Sequence, residues 1–133
     1  MKANELMIDD WVYNKNIDKP IQIYPTIFSQ MFRSNPNATT EDYNIFPITL
    51  TAEILEKNGF KARNRYIWEQ KDNYCCIKLN IAPKIEIEGE IFGEPPILLQ
   101  IDGATFSLNI IIEYVHELQH ALRLCEIEKE IEL

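Results

Sequence analysis

The chain has 133 residues, of which 46% are apolar and 26% charged, and it carries a formal net charge of −8. That is the length of one domain, 1–133, able to bury one sizeable core but not two. No apolar run approaches the roughly 18 residues that a membrane-spanning helix needs, and no apolar stretch follows Met1-Lys2-Ala3-Asn4-Glu5 as a secretory signal would require.

The charge is uneven. Residues 1–80 hold ten acids and ten bases, whereas residues 81–133 hold eleven acids against Lys84, Arg123 and Lys129. Such a surface repels nucleic-acid phosphate and anionic lipid, so neither direct nucleic-acid binding nor a membrane is expected. Lys57, Lys61, Arg63 and Arg65 form the only basic cluster, read as a solvated helix end and strand start. Three Cys, two of them adjacent (Cys75-Cys76), give no disulfide framework and no C-x-x-C pair. Reduced, buried thiols in a cytoplasm fit that pattern.

In chain order, two short apolar runs, Trp11-Val12-Tyr13 and Pro20 to Tyr24, flank a polar turn-rich stretch and predict a β-hairpin with a long loop. Residues 33–44 are polar and turn-forming and predict an exposed loop. Thr51 then precedes Ala52 to Asn58, with Glu53 in the first turn, Lys57 in the last and Gly59 just beyond, which is the punctuation of a short helix. From Arg65 to Phe106 apolar residues alternate with polar ones in runs separated by Asp72-Asn73, Pro83, Gly89, Gly93 to Pro96 and Asp102-Gly103, predicting a meandering antiparallel sheet with one buried face. Ile85 and Ile87 are expected to face the core, and Lys84, Glu86 and Glu88 water. Ile111, Val115, Leu118, Leu122 and Cys125 recur at spacings of four and three, predicting one long helix from about Leu108 to Cys125. The alternating charges of Ile127 to Leu133 suggest an edge strand. The fold class is α+β, a mostly antiparallel meandering sheet with a short middle helix and a long C-terminal helix packed on it.

One string names a chemistry. His116-Glu117-Leu118-Gln119-His120 spells H-E-x-x-H, in which two His one helical turn apart bind a Zn²⁺ and the Glu between them acts as general base on the metal-bound water. With residues placed 100° apart, His116 and His120 fall about 140–180° from the stripe centred on Ile111, Leu122 and Val115, on a polar face shared with Glu113 and Arg123. Solvated or hydrogen-bonded His is the ordinary outcome there. A catalytic zinc also needs a third protein ligand. No third His exists, and the extended motif's Gly and His positions hold Arg123 and Glu126. Glu126, Glu128, Glu130 and Glu132 are on a short tether. Glu113, one turn before His116, is the nearest candidate, although such a set is not the zincin arrangement. The candidate site residues are therefore Glu117 as catalytic base and His116, His120 and Glu113 as metal ligands, with zinc as the one possible cofactor and no cofactor as the leading expectation. No Ser-His-Asp or Cys-His set, phosphate-binding Gly loop or dinucleotide fingerprint competes.

Met1 to Leu6 leading to Trp11-Val12-Tyr13, Pro47 to Thr51 leading to Gly59-Phe60, and Tyr114-Val115-His116-Glu117-Leu118-Gln119 together resemble a family of small uncharacterised proteins of gut bacteria and their phages and integrated elements. The resemblance touches both ends and the middle of the chain. It implies no activity, cofactor, partner or functional residue. In that family's Tyr-Val-His-x-Leu-Gln pattern the Glu and second His are often Gln and Asn, which makes His116, Leu118 and Gln119 a fold signature that Glu117 and His120 complete as H-E-x-x-H by coincidence. The leading expectation is a non-enzymatic, cytoplasmic accessory protein of phage or mobile-element origin acting through an unknown protein partner. The alternatives are a minimal zinc-dependent hydrolase and, more weakly, an acidic decoy that mimics nucleic acid.

Overall fold

The computed structural model describes residues 1, 5–34, 39–64, 66–72, 75–81, 85–92 and 97–133. Among these the fold is α+β, with antiparallel sheets and three α-helices. The chain divides into two compact units, one of residues 1–49 and 114–124, the other of residues 50–113 and 125–133.

In the first unit the expected hairpin forms: β1 (Trp11–Asn14) pairs with β2 (Lys19–Gln22) across a turn-rich connection. On its other side β1 pairs with β3 (Ile45–Pro47), giving the order β2-β1-β3. Between them lies α1 (Pro25–Ser34), for which the sequence reading had no element. Pro25 opens it, where a missing N–H costs nothing, and Ile27, Phe28 and Met31 supply a helical stripe. Leu6, Val12, Ile23, Met31 and Ile45 form the buried core, with Met1, Ile21, Ile27, Phe28 and Tyr43 packed against it. The loop expected over 33–44 is only partly one. Arg33 and Ser34 end α1, residues 35–38 lie outside the described residues, and Thr40–Tyr43 form a 3-10 turn with Thr40 fully buried. The turn is closed by a capping box, Thr39 receiving the backbone of Asp42 and the Asp42 carboxylate accepting from Thr39 N.

The second unit begins with the expected short helix, α2 (Ala52–Lys57). Thr51 caps it by accepting from Ile54 N, and Gly59 follows at φ +84°, a left-handed conformation in which any side chain would be strained. The main sheet has five strands in the order β10-β9-β6-β5-β4: β4 (Lys61–Ala62), β5 (Ile67–Asp72), β6 (Cys75–Ile81), β9 (Ile97–Asp102) and β10 (Ser107–Ile112). A separate hairpin, β7 (Ile85–Ile87) with β8 (Glu90–Phe92), interrupts the meander between β6 and β9. The facing assigned to Lys84 to Glu88 falls largely outside the described side chains, although Glu88 is exposed as expected. Ile77, Leu79, Ile97, Leu99 and Ile101 are buried, which fixes the register through one face of the sheet. Lys57, Lys61 and Arg63 are exposed, and Arg65 lies outside the described residues. The three Cys are free thiols, half-buried rather than fully so, and burial followed by the charge of Cys75 pushes the Cys125 thiol up.

The C-terminal region departs from expectation in three ways. Residues 107–112 are strand, and the helix, α3, runs only from Val115 to Leu124. Ile110-Ile111-Ile112 satisfies both periodicities, but three β-branched side chains in a row and a hairpin partner ending at Asp102-Gly103 favour the strand. Ser107 Oγ donates to Asp102 Oδ1 at 2.7 Å across that turn. Ile111, assigned above to the core stripe, is 67% exposed. The helix also packs on β1 of the first unit's sheet, where Trp11 N donates to Gln119 Oε1 at 2.8 Å. Finally, residues 127–133 form no strand. Ile127 and Ile131 are buried, and the Asn58 side chain grips the backbone of Glu132, accepting from its N and donating to its O, both at 2.7 Å.

Candidate functional site

The H-E-x-x-H residues stand on α3, and what meets them comes from the N-terminal segment. Asp9 and Asp10 precede β1, and Asp9 holds a left-handed φ of 72°, a conformation that Asp tolerates better than most residues. Its N donates to Ile23 O, and its carbonyl accepts from Gln119 Nε2 at 3.0 Å and Gln22 Nε2 at 3.2 Å. That turn delivers Asp10, fully buried, to the helix.

Asp10 is the hub of the cluster. Its Oδ2 accepts from Met7 N at 2.7 Å and lies 2.6 Å from His120 Nε2, while Oδ1 accepts from Arg123 Nη1 at 2.8 Å. A buried carboxylate must have its lone pairs met, and here a backbone N–H, an imidazole and a guanidinium meet them. His120 and Arg123 keep side-chain exposures of 25% and 37%, so the cluster runs from a dry carboxylate to a wet rim.

His116 lies behind this rim and is only 4% exposed. It stacks on Tyr114 (centroids 5.7 Å apart, 12° between planes) and meets His120 edge-on at 5.5 Å. Its Nδ1 is buried with no hydrogen-bond partner among the described residues. Burial pushes its imidazole below the usual His range, as does the neighbouring His120, while Asp10, Glu117 and Glu5 oppose the shift. The polar-face assignment made from the sequence is thus corrected. Val115, His116, Leu118, Gln119, Ala121 and Leu122 are all buried, an arc of about 220° at 100° per residue, so α3 shows solvent less than half of its circumference.

Glu117 has a structural position. It is the third residue of α3, and its Oε1 accepts from Tyr114 N at 3.0 Å, satisfying one of the N–H groups that a helix start leaves over. Glu113 is exposed and precedes the helix, so the one-turn spacing to His116 on which its candidacy rested does not arise.

As a zinc site the donor set fits poorly. Asp10 is bonded to His120, and its two oxygens are committed to His120, Arg123 and Met7 N. A cation entering there would displace the proton between Asp10 and His120 and stand beside a guanidinium that is always charged. Among the described residues no group of three His, Cys, Asp or Glu side chains is placed to hold a metal ion.

Sequence reasoning did not reach Asp10 as a partner of the motif, since 110 residues separate it from His120. It noticed Arg123 only as a neighbour on the helix, and Gln119 only within a fold signature. The one local signal was an acid pair directly before an apolar strand. No helix among the described residues is long and apolar enough to cross a membrane. No protein-family model matches the chain, nor does any curated protein or solved structure.

Proposed function

We propose that this chain is a non-enzymatic accessory protein of phage or mobile-element origin that acts in the cytoplasm through a protein partner. One observation supports it above the others: the groups that would perform zinc chemistry serve the fold. Glu117 holds the start of α3, and His120 and Arg123 together hold Asp10. A hydrolytic base needs its carboxylate on a water, and a zinc ligand needs a lone pair free of a competing cation. The origin in a mobile element rests on the sequence resemblance. The absence of a cofactor is part of the same proposal.

The test is metal analysis of the purified protein beside Glu117→Gln and His120→Ala variants, with affinity capture from the native host. The expectation is no stoichiometric metal, full occupancy of one specific protein partner, and a Glu117→Ala helix-start loss of about 1 kcal/mol in stability, the size of a lost cap. One equivalent of zinc that disappears in His120→Ala, with turnover abolished in Glu117→Gln, would establish the hydrolase instead.

A further inference from the structure

Asn58-Gly59 is the one Asn-Gly pair in the sequence. In such a pair the Asn carboxamide is open to attack by the next backbone N, because Gly has no Cβ to hinder the approach. In the fold each partner of that reaction is held back. Asn58 is 7% exposed, and three hydrogen bonds hold its carboxamide: Nδ2 donates to Ile54 O at 2.8 Å and to Glu132 O at 2.7 Å, while Oδ1 accepts from Glu132 N at 2.7 Å. Gly59 N, the nucleophile, donates to Glu56 O at 3.1 Å. Closing a five-membered ring requires Gly59 N on the same side of the Cα–C bond as Asn58 Cβ, and at the observed Asn58 ψ of 16° it is turned away. Residue 132 makes two of the three carboxamide bonds, and the buried Ile127 and Ile131 seat its segment.

We propose that Asn58-Gly59 is a self-modification site, deamidated when residues 125–133 lift away and, once deamidated, unable to take them back. The reaction consumes only water. When that segment and the last turn of α2 open, Gly59 N loses its proton and forms a bond to Asn58 Cγ. The Cγ–Nδ2 bond breaks, and Nδ2 takes up the proton and leaves as ammonia. Water then opens the succinimide ring at either carbonyl, giving an aspartyl or an isoaspartyl residue, so that in sum one water enters and one ammonia leaves.

The product cannot close as the parent does. An ionised aspartyl side chain has no N–H, so oxygen lone pairs meet Ile54 O and Glu132 O where two donors stood. The isoaspartyl form lengthens the backbone by one atom and displaces the turn in which Gly59 holds φ +84°. Either way a negative charge is set against a segment that carries Glu126, Glu128, Glu130 and Glu132 but only Lys129 to offset them. Opening permits the reaction and the reaction opposes reclosure. The step therefore runs one way, and Ile127 and Ile131 pass to solvent.

Incubation of the full chain at mildly alkaline pH, with peptide mass mapping of position 58, tests this. The native chain is expected to deamidate there at least about tenfold more slowly than the same chain unfolded in urea, because only the open fraction reacts. Ile131→Ala, which loosens the segment, raises the native rate toward the unfolded one. On the unaltered chain, sub-denaturing urea raises the rate in parallel with exchange of the residue 132 amide, a reading that needs no variant. Asn58→Asp, the product made directly, speeds amide exchange at 131–133 by about tenfold or more while β6 and β9 keep their protection. Equal rates in the native and unfolded chains overturn the guarding role, as does a native rate indifferent to both Ile131→Ala and urea. Unchanged exchange at 131–133 in Asn58→Asp overturns the release, and an unfolded chain that keeps Asn58 intact overturns the site itself.

Discussion

Asp10→Ala is the sharpest perturbation of the cluster that joins the N-terminal segment to α3. The carboxylate is fully buried and receives Met7 N, His120 Nε2 and Arg123 Nη1 at 2.6–2.8 Å. Hydrogen bonds to a charged group contribute about 1.5–3 kcal/mol each, but they share one acceptor group and do not add. The half-exposed Arg123 recovers hydration when released, which limits its ion-pair share to about 0–1 kcal/mol. His120 recovers part of its own. The expected loss is about 3 kcal/mol, the lower end of what breaking a buried charged pair costs. In urea titration followed by circular dichroism, with a slope of about 1.5–2 kcal/mol/M, the midpoint falls by about 1.5–2 M. Asp10→Ala combined with Arg123→Ala should cost less than the two singles added, by at least about 0.5 kcal/mol. A single-variant loss below about 0.5 kcal/mol, or strict additivity, would refute the hub role of Asp10.

Two further outcomes follow from the same geometry. His116 is held below its usual pKa by burial, so the folded state binds fewer protons than the unfolded one; its contribution is intact above the unfolded value of about 6.5 and is lost as pH falls below it, by at most about 1.4 kcal/mol per pH unit. Urea midpoints from pH 8 to pH 5 should fall less steeply in His116→Phe than in the parent, and equal slopes would contradict the assignment. Asn58→Ala removes both bonds to the Glu132 backbone and should cost about 1–3 kcal/mol, with faster exchange of the residue 132 amide; unchanged exchange there would show that Ile127 and Ile131 hold the C-terminal segment without it.

Local chemistry was legible wherever one residue type had one use. Thr51, Glu53, Lys57 and Gly59 mark α2 because capping and left-handed conformations are properties of the residue itself. Alternation from Ile67 to Ile101 likewise gives strands, since a half-buried sheet demands period two. Where a run satisfied two periods, neighbours decided. Ile110-Ile111-Ile112 fits a helix stripe and a strand equally, and the pairing with β9 resolved it, moving the start of the helix from Leu108 to Val115. His116, placed on the polar face by that stripe, is buried because the buried arc of α3 is far wider than the stripe.

The sequence by itself determined the class of the fold, the limits of α2, the hairpin at Trp11 to Gln22 and the presence of two His one turn apart. Only the tertiary structure decided what those His do. Their neighbour Asp10 is nearly a whole chain away, and the buried arc of α3 depends on surfaces that no local pattern encodes. A motif records spacing along one helix, whereas ligation, catalysis or structural support depends on which groups from elsewhere reach the same few ångströms. Here those groups are a buried carboxylate and an arginine.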